Sequence, residues 1–253
     1  MTTNIVVRVK DLDKTFIVAD GNVNVLKKIS FEINEGEFAI IYGPSGCGKS
    51  TLLHTILGLE QPTSGSINVL NRDIYSNYSE DSMAEFRINN IGMVYQQSNW
   101  VKAVSVVENV ALPLAILGLE YEERIEKAKK MLDSIHMLAW ANYHPSELSS
   151  GQQQKVALAR ALITNPKIII ADEPTGNLDF ESGEELMNLL KSLSVEHGKT
   201  ILMVTHDLEY LKHGTKAIRL LDGQVQSIFS PNEDTEEMNN LLAKRKVYEK
   251  YLQ

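Results

Sequence analysis

The chain has 253 residues, 43% of them hydrophobic, and a formal net charge of −8. This suits one large domain, or one domain with subdomains, around an ordinary core. The acidic balance argues against wholesale nucleic-acid binding, and the single cysteine, Cys47, excludes an intramolecular disulfide framework and a cysteine zinc cluster, which fits a reducing compartment.

The first residues, MTTNIVVRVKDLDK, lack the charged-then-apolar plan of a signal peptide. The best apolar run, Val110 to Leu119, is too short to span a bilayer and contains Pro113. A soluble chain is expected, still able to dock on a membrane protein. The sequence shows no internal repeat and no low-complexity tract.

In chain order, Ile5–Val9 and Ile29–Ile33 have the β-branched alternation of strands. Glu35-Gly36 turns into Phe38-Ala39-Ile40-Ile41-Tyr42, an apolar run suited to a strand buried on both faces of a parallel sheet. A glycine-rich loop and a helix over 50–59 follow, then a strand over 65–70 ended by a turn at Asn71-Arg72. Met93-Val94-Tyr95 closes another apolar strand. Apolar residues at helical spacing predict helices over 105–117, 121–136 and 152–163. Ser105 and Glu108 have the form of a capping box, and Pro113 should kink or shorten that helix. A strand over 168–171, a helix over 181–193, a strand over 200–204 and a short helix complete an α/β alternation. The helical middle has the look of an insertion into that sheet. After Ser230, Pro231-Asn232-Glu233-Asp234 breaks the pattern. Asp234-Thr235-Glu236-Glu237 then resembles a helix start. Met238, Leu241, Leu242, Tyr248 and Leu252 would share an apolar face, and Lys244, Arg245 and Lys246 suit its dipole. That helix either packs on the domain or meets a partner.

Gly43-Pro44-Ser45-Gly46-Cys47-Gly48-Lys49-Ser50 matches the phosphate loop G-x-x-x-x-G-K-[ST], with a buried strand before it and a helix after it. Glycines let backbone N–H groups turn toward phosphate oxygens. Lys49 supplies a point charge, the Ser50 hydroxyl suits Mg²⁺, and Thr51 adds a contact to an inner phosphate. Cys47 is a small residue for a tight loop, although a helix start can also lower a thiol pKa.

Ile168-Ile169-Ile170-Ala171-Asp172-Glu173 is a buried strand ending in two acids, where α/β sheets hold ligands. Asp172 suits Mg²⁺ through water, and Glu173 suits a general base for an attacking water. Ile201–Thr205 repeats the plan with His206 at its tip, placed to contact a γ-phosphate. His54, His136, His144, His197 and His213 have no comparable context. Gln96 can offer its carbonyl to Mg²⁺ and its amide to water. One feature remains unexplained by a single phosphate site. Leu148-Ser149-Ser150-Gly151-Gln152 places a small polar turn at a helix start, itself an anion site.

Taken together, Gly43–Thr51, Gln96, Leu148–Gln152, Ile168–Glu173, Gly176-Asn177-Leu178-Asp179 and His206, in that order, resemble the ATP-binding subunit of an ABC transporter. The resemblance runs over about residues 4–226, and the L-S-x-G-Q signature makes it specific. It implies an α/β P-loop NTPase fold: a RecA-like core sheet, an antiparallel β subdomain and an inserted α-helical subdomain. The cassette would occupy 1–230, with the helical insertion at about 97–162, and a C-terminal helical extension would occupy 231–253.

The resemblance also assigns roles. Phe16 stacks on adenine. Gly43, Pro44, Ser45, Gly46, Cys47, Gly48, Lys49, Ser50 and Thr51 bind ATP. Glu173, His206 and Gln96 serve hydrolysis, and Ser50, Gln96 and Asp172 hold Mg²⁺. Ser149, Ser150, Gly151 and Gln152 contact the ATP of a second copy of the chain, and Asp179 lines the dimer contact. The implied partners are that second copy and an integral membrane permease, not nucleic acid. The implied location is the inner face of the cell membrane.

Asp172–Asp179 and Glu108–Leu114 are similar to the MacB/LolD/FtsE-like group, whose members serve lipoprotein release, peptide or drug export, or force transmission. Soluble ABC ATPases of DNA repair or translation carry paired cassettes, zinc modules or coiled-coil insertions that do not appear here. A cassette that binds ATP without hydrolysing it would not need Glu173 and His206. Two departures stand out. Ser150 replaces a usual glycine, which would cost about 1–2 kcal/mol if the position required φ > 0. The stretch Ser98-Asn99-Trp100-Val101-Lys102-Ala103 differs from the common version, so the partner it would meet is open.

Overall fold

The computed structural model describes residues 4–19, 21–76, 78–234, 236, 238, 239 and 241. They fall into two compact units. Residues from 1–78 and 193–253 form the first, and residues 79–192 the second.

The first unit opens with a long antiparallel hairpin, β1 (Ile5–Val18) and β2 (Gly21–Asn34). Only its inner half was evident from apolar alternation. The outer half carries polar residues such as Asp11, Asp13, Asn22 and Asn24, so ladder hydrogen bonds rather than side-chain burial extend it. β1 also pairs with β4 (Ser64–Val69), which pairs with β5 (Arg72–Asp73), giving the order β2-β1-β4-β5. Val7, Val9, Leu12, Leu26, Ile29, Ile33 and Ile67 are its buried face. The β4–β5 turn is Leu70-Asn71, with φ of 51° and 64°, the left-handed pair that matches strand twist.

A second sheet in the same unit centres on β3 (Phe38–Tyr42), buried along its whole length. It runs parallel to β8 (Thr200–Thr205) on one side and β9 (Lys216–Leu221) on the other. β10 (Gln224–Phe229) returns antiparallel on β9. The unbroken apolar runs at β3 and β8 follow from cover on both faces. α1 (Lys49–Ile56) leaves the end of β3 and buries Leu52, Leu53 and Ile56.

In the second unit, α2 (Glu80–Asn90) runs directly into β6 (Ile91–Tyr95), which lies parallel to β7 (Ile168–Asp172). α2 has no strong apolar stripe and escaped sequence reading. Its start is secured by the Ser79 hydroxyl, which accepts from the Ser82 N–H at 3.2 Å. α3 (Val106–Ile116), α4 (Tyr121–Ser134) and α5 (Ser150–Leu162) close on a shared core containing Val106, Val110, Ala128, Leu132, Val156 and Ala159. α6 (Phe180–Val195) follows β7.

The expected capping box is present: the Ser105 N–H donates to Glu108 Oε2 at 2.9 Å and the Glu108 N–H to Ser105 Oγ at 3.4 Å. Pro113 does not end α3, which continues to Ile116. The buried face of Val106, Val110 and Leu114 holds the helix through the proline, because packing outweighs local propensity.

Beyond β10, the Met238 N–H donates to the Asp234 carbonyl at 3.2 Å and Leu241 is buried. Leu242, Lys244, Arg245, Lys246, Tyr248 and Leu252 lie outside the described residues. Among the described residues no helix is long and apolar enough to cross a membrane.

Candidate functional site

The first unit carries Phe16, the loop from Gly43 to Thr51, and His206. The loop starts where β3 ends. A side chain at Gly43 would lie 2.0 Å from the Leu220 carbonyl oxygen, so only glycine fits there. Gly48, the N-cap of α1, has φ of 105°, a conformation that L side chains resist. Lys49 is the first residue of α1. It is buried, and its ammonium donates to the Gly43 and Pro44 carbonyls at 2.9 and 3.1 Å. Pro44, Ser45, Gly46 and Ser50 are exposed, while Cys47 is buried. Burial pushes the Cys47 thiol above its ordinary value, despite the opposing charge of Lys49. That direction disfavours the thiolate, in keeping with a small residue in a tight loop.

Phe16 is half-buried near the outer end of β1, opposite Val23 of β2. His206 follows the last residue of β8 and is exposed.

The second unit carries the other candidates. Tyr95 and Asp172 are register partners at the ends of the parallel strands β6 and β7. Gln96 and Glu173 are thus the next residues out along two adjacent strand tips. Glu173 has φ of 44°, left-handed for a residue with a long side chain. The chain then tightens: the Gly176 N–H donates to the Glu173 carbonyl at 3.0 Å. A side chain at Gly176 would fall 2.6 Å from Gln96 Nε2, and the Asn177 amide donates to the Gln96 carbonyl at 3.3 Å. Gln96 and the turn after Glu173 are in contact.

The Ser149–Gln152 turn forms a reciprocal cap. Ser149 Oγ accepts from the Gln152 N–H at 3.3 Å, and Gln152 Oε1 accepts from the Ser149 N–H at 2.9 Å. A hydroxyl has one proton as well as its lone pairs, so this cap leaves the Ser149 proton available for an anion. α5 begins at Ser150, two residues earlier than its apolar periodicity suggested. Ser150 is in the right-handed helical region, so the feared cost of serine does not arise.

Gly151 has a neighbour that the sequence did not announce. A side chain there would lie 2.7 Å from Ser182 Oγ. Ser182 in turn donates to Asp179 through its N–H at 2.9 Å and its hydroxyl at 3.0 Å. These bonds hold the Asp179 carboxyl below its ordinary value and cap α6. The start of α5 and the Asp179 turn are therefore packed together.

Gln154 is the residue that sequence reasoning missed. It is buried, and its amide donates to the Tyr95 carbonyl at 2.9 Å and the Pro174 carbonyl at 2.7 Å. Its oxygen accepts from Ser98 Oγ at 2.8 Å. One side chain of α5 thus holds both strand-tip loops. The only available signal was a polar residue at a core-facing position of α5. The divergent stretch after Gln96 is fastened to the same helix: Trp100 Nε1 donates to Gln153 Oε1 at 3.0 Å, and the Arg160 guanidinium lies 4.5 Å from the Trp100 ring centre.

Comparison with known proteins agrees with this arrangement. Residues 26–176 match the ABC transporter family. The chain is 43% identical over 224 residues to the ABC transporter ATP-binding protein MJ1508 of Methanocaldococcus jannaschii, covering 88% of this chain and 99% of that relative. It is 42% identical over 221 residues to the macrolide export ATP-binding/permease protein MacB of Bdellovibrio bacteriovorus, covering 87% of this chain and 33% of MacB. The dimeric ATP-binding cassette MJ0796, solved in a post-hydrolysis state with ADP and Pi, superposes with a TM-score of 0.81 at 40% identity, over 88% of this chain and 98% of that one. The fold and these likenesses agree: the chain belongs to the ABC transporter family, as an ATP-binding, ATP-hydrolysing subunit.

Proposed function

We propose that this subunit closes as a homodimer around two ATP molecules and drives a separate membrane permease from the inner face of the membrane. The observation that carries this reading is the pair of anion sites on one chain. The Gly43–Thr51 loop is complete by itself, yet the Ser149–Gln152 turn also presents a hydroxyl proton and helix-start N–H groups. In a twofold dimer that second turn faces the γ-phosphate held by the partner's loop, and each ATP belongs to both chains. The dimeric MJ0796 cassette with ADP and Pi supports the geometry.

Within each copy, Phe16 stacks on adenine, and the loop N–H groups and Lys49 hold the phosphates. Glu173 takes a proton from the attacking water, and His206 and Gln96 keep that water in line with the γ-phosphate. The Ser50 hydroxyl, the Gln96 carbonyl and the Asp172 carboxylate are hard oxygen donors of the kind Mg²⁺ takes. Mg²⁺ would supply charge neutralisation at the β- and γ-phosphates. The cassette occupies 1–230, with a helical subdomain at about 97–162, and the remainder is an extension. MacB, whose name joins ATP-binding and permease functions in one protein, supports a permease partner. An ATPase of DNA repair or translation is not favoured.

The test is the Glu173→Gln variant with saturating ATP and Mg²⁺. Hydrolysis should fall by at least about a hundredfold, and size-exclusion chromatography should show a stable dimer. A variant that stays monomeric under those conditions rules out the shared-ATP arrangement. Purification from solubilised membranes, with identification of a co-eluting integral membrane protein, tests the permease.

A further inference from the structure

We infer that Lys14 is a positioning residue for the base end of the nucleotide. It holds the Phe16 ring and fixes its distance from the phosphate loop. The inference rests on Phe16 stacking against adenine and goes beyond it.

Three observations meet at Lys14. Its ammonium sits over the Phe16 ring, 4.6 Å from the ring centre. It is also bonded to the Glu60 carboxylate, and it donates to the Gln61 carbonyl at 2.7 Å. Finally, β1 shifts register against β2 on both sides of Lys14. At both shifts the extra residue lies on β2, so β1 keeps its alternation there, and residues two apart on it share a face: Lys14 and Phe16 emerge together. The side chain is 11% exposed, far more buried than a solvated surface lysine.

Glu60 and Gln61 belong to the turn that follows α1, the helix beginning at Lys49. That turn is held firmly. The Tyr75 hydroxyl meets the Thr55 and Glu60 carbonyls at 2.6 and 2.7 Å. The Thr15 N–H donates to Thr63 Oγ1 at 2.9 Å, and the Thr63 N–H to the Asp13 carbonyl at 2.8 Å. The hairpin carrying Phe16 is thereby riveted to the far end of the phosphate-loop helix. With its cation on one face of the ring, Lys14 leaves the opposite face for a base and holds it at a set distance from the phosphates. The free energy of cation–π attraction and of a pre-ordered ring would appear as affinity for the base, not for the phosphates.

The experiment compares MgATP with magnesium tripolyphosphate, which has no base, by calorimetry on the full chain. Lys14→Met should weaken MgATP about three- to tenfold and leave tripolyphosphate within about twofold. In a Phe16→Ala background the Lys14→Met loss should vanish, because the ring it acts through is gone. Lys14→Arg, which keeps a cation at the ring, should retain most of the MgATP affinity. Equal losses for both ligands, no loss at all, a loss that persists without Phe16, or a Lys14→Arg loss as large as that of Lys14→Met each overturn the inference. Phe16→Ala alone reads the underlying stacking. If it costs MgATP nothing relative to tripolyphosphate, the stacking fails. If it costs MgATP and Lys14→Met does not, only the role of Lys14 fails.

Discussion

Gln154 shows how much of this site depends on one buried amide. Its three hydrogen bonds reach the last residue of β6, Ser98 in the loop beyond it and the loop after β7, while its backbone belongs to α5. A leucine of similar volume would leave two carbonyls and a hydroxyl without their partner. The cost of stranding buried polar groups is about 1–3 kcal/mol each when nothing relaxes, so Gln154→Leu should lose at least about 3 kcal/mol in a urea titration. ATP turnover should fall further than stability explains, because Gln96 and Glu173 lie on the loops that Gln154 holds. Lys49 and Ser50 were legible at this scale because the phosphate loop is a contiguous motif. Gln154 was not, since a glutamine becomes a hub only through chain segments 59 and 20 residues away.

Helix starts do much of the organising at the next scale. α2, α3, α5 and α6 each open on a side-chain cap: Ser79, Ser105, Ser149 and Asp179. The α3 box gives a pH-dependent prediction. Hydrogen bonds from the Ser105 hydroxyl and N–H hold Glu108 below its ordinary value of 4.5. A carboxyl lowered in the folded state contributes stability that is complete above the unfolded-state value. That contribution is lost as the pH falls through the lowered folded-state value. Urea titrations of wild type and Glu108→Gln should therefore differ by a constant amount above about pH 5.5 and converge below 4.5. The Ser105 box was visible as a local pattern. The α6 cap was obscured because Asp179 had a competing assignment to a dimer contact. The outer hairpin and α2 were missed for a related reason: their stability lies in ladders and caps, which leave little hydrophobic periodicity.

For the molecule as a whole, the buried strands β3, β7 and β8 and their polar tips made the α/β character legible, since all-apolar runs followed by acids or histidine have few other uses. The β9–β10 hairpin, which ends the sheet centred on β3, was not legible. β10 alternates buried poorly with exposed residues and has no charged tip to mark it. Contacts such as Gly151 against Ser182 also had to await the structure, because nothing local to either residue specifies the other. The left-handed backbone of Glu173 carries a consequence for the evolution of the chain. A non-glycine residue there costs about 1–2 kcal/mol, part of which glycine would forfeit through its freer unfolded state. Glu173→Gly should thus raise the unfolding free energy of the whole protein by about 0.5–1 kcal/mol while abolishing turnover, as read by thermal melting beside an ATPase assay. With Glu173 as the proposed base, selection for a well-folded protein and selection for a working ATPase pull in opposite directions at this position, and glutamate persists only while turnover is needed.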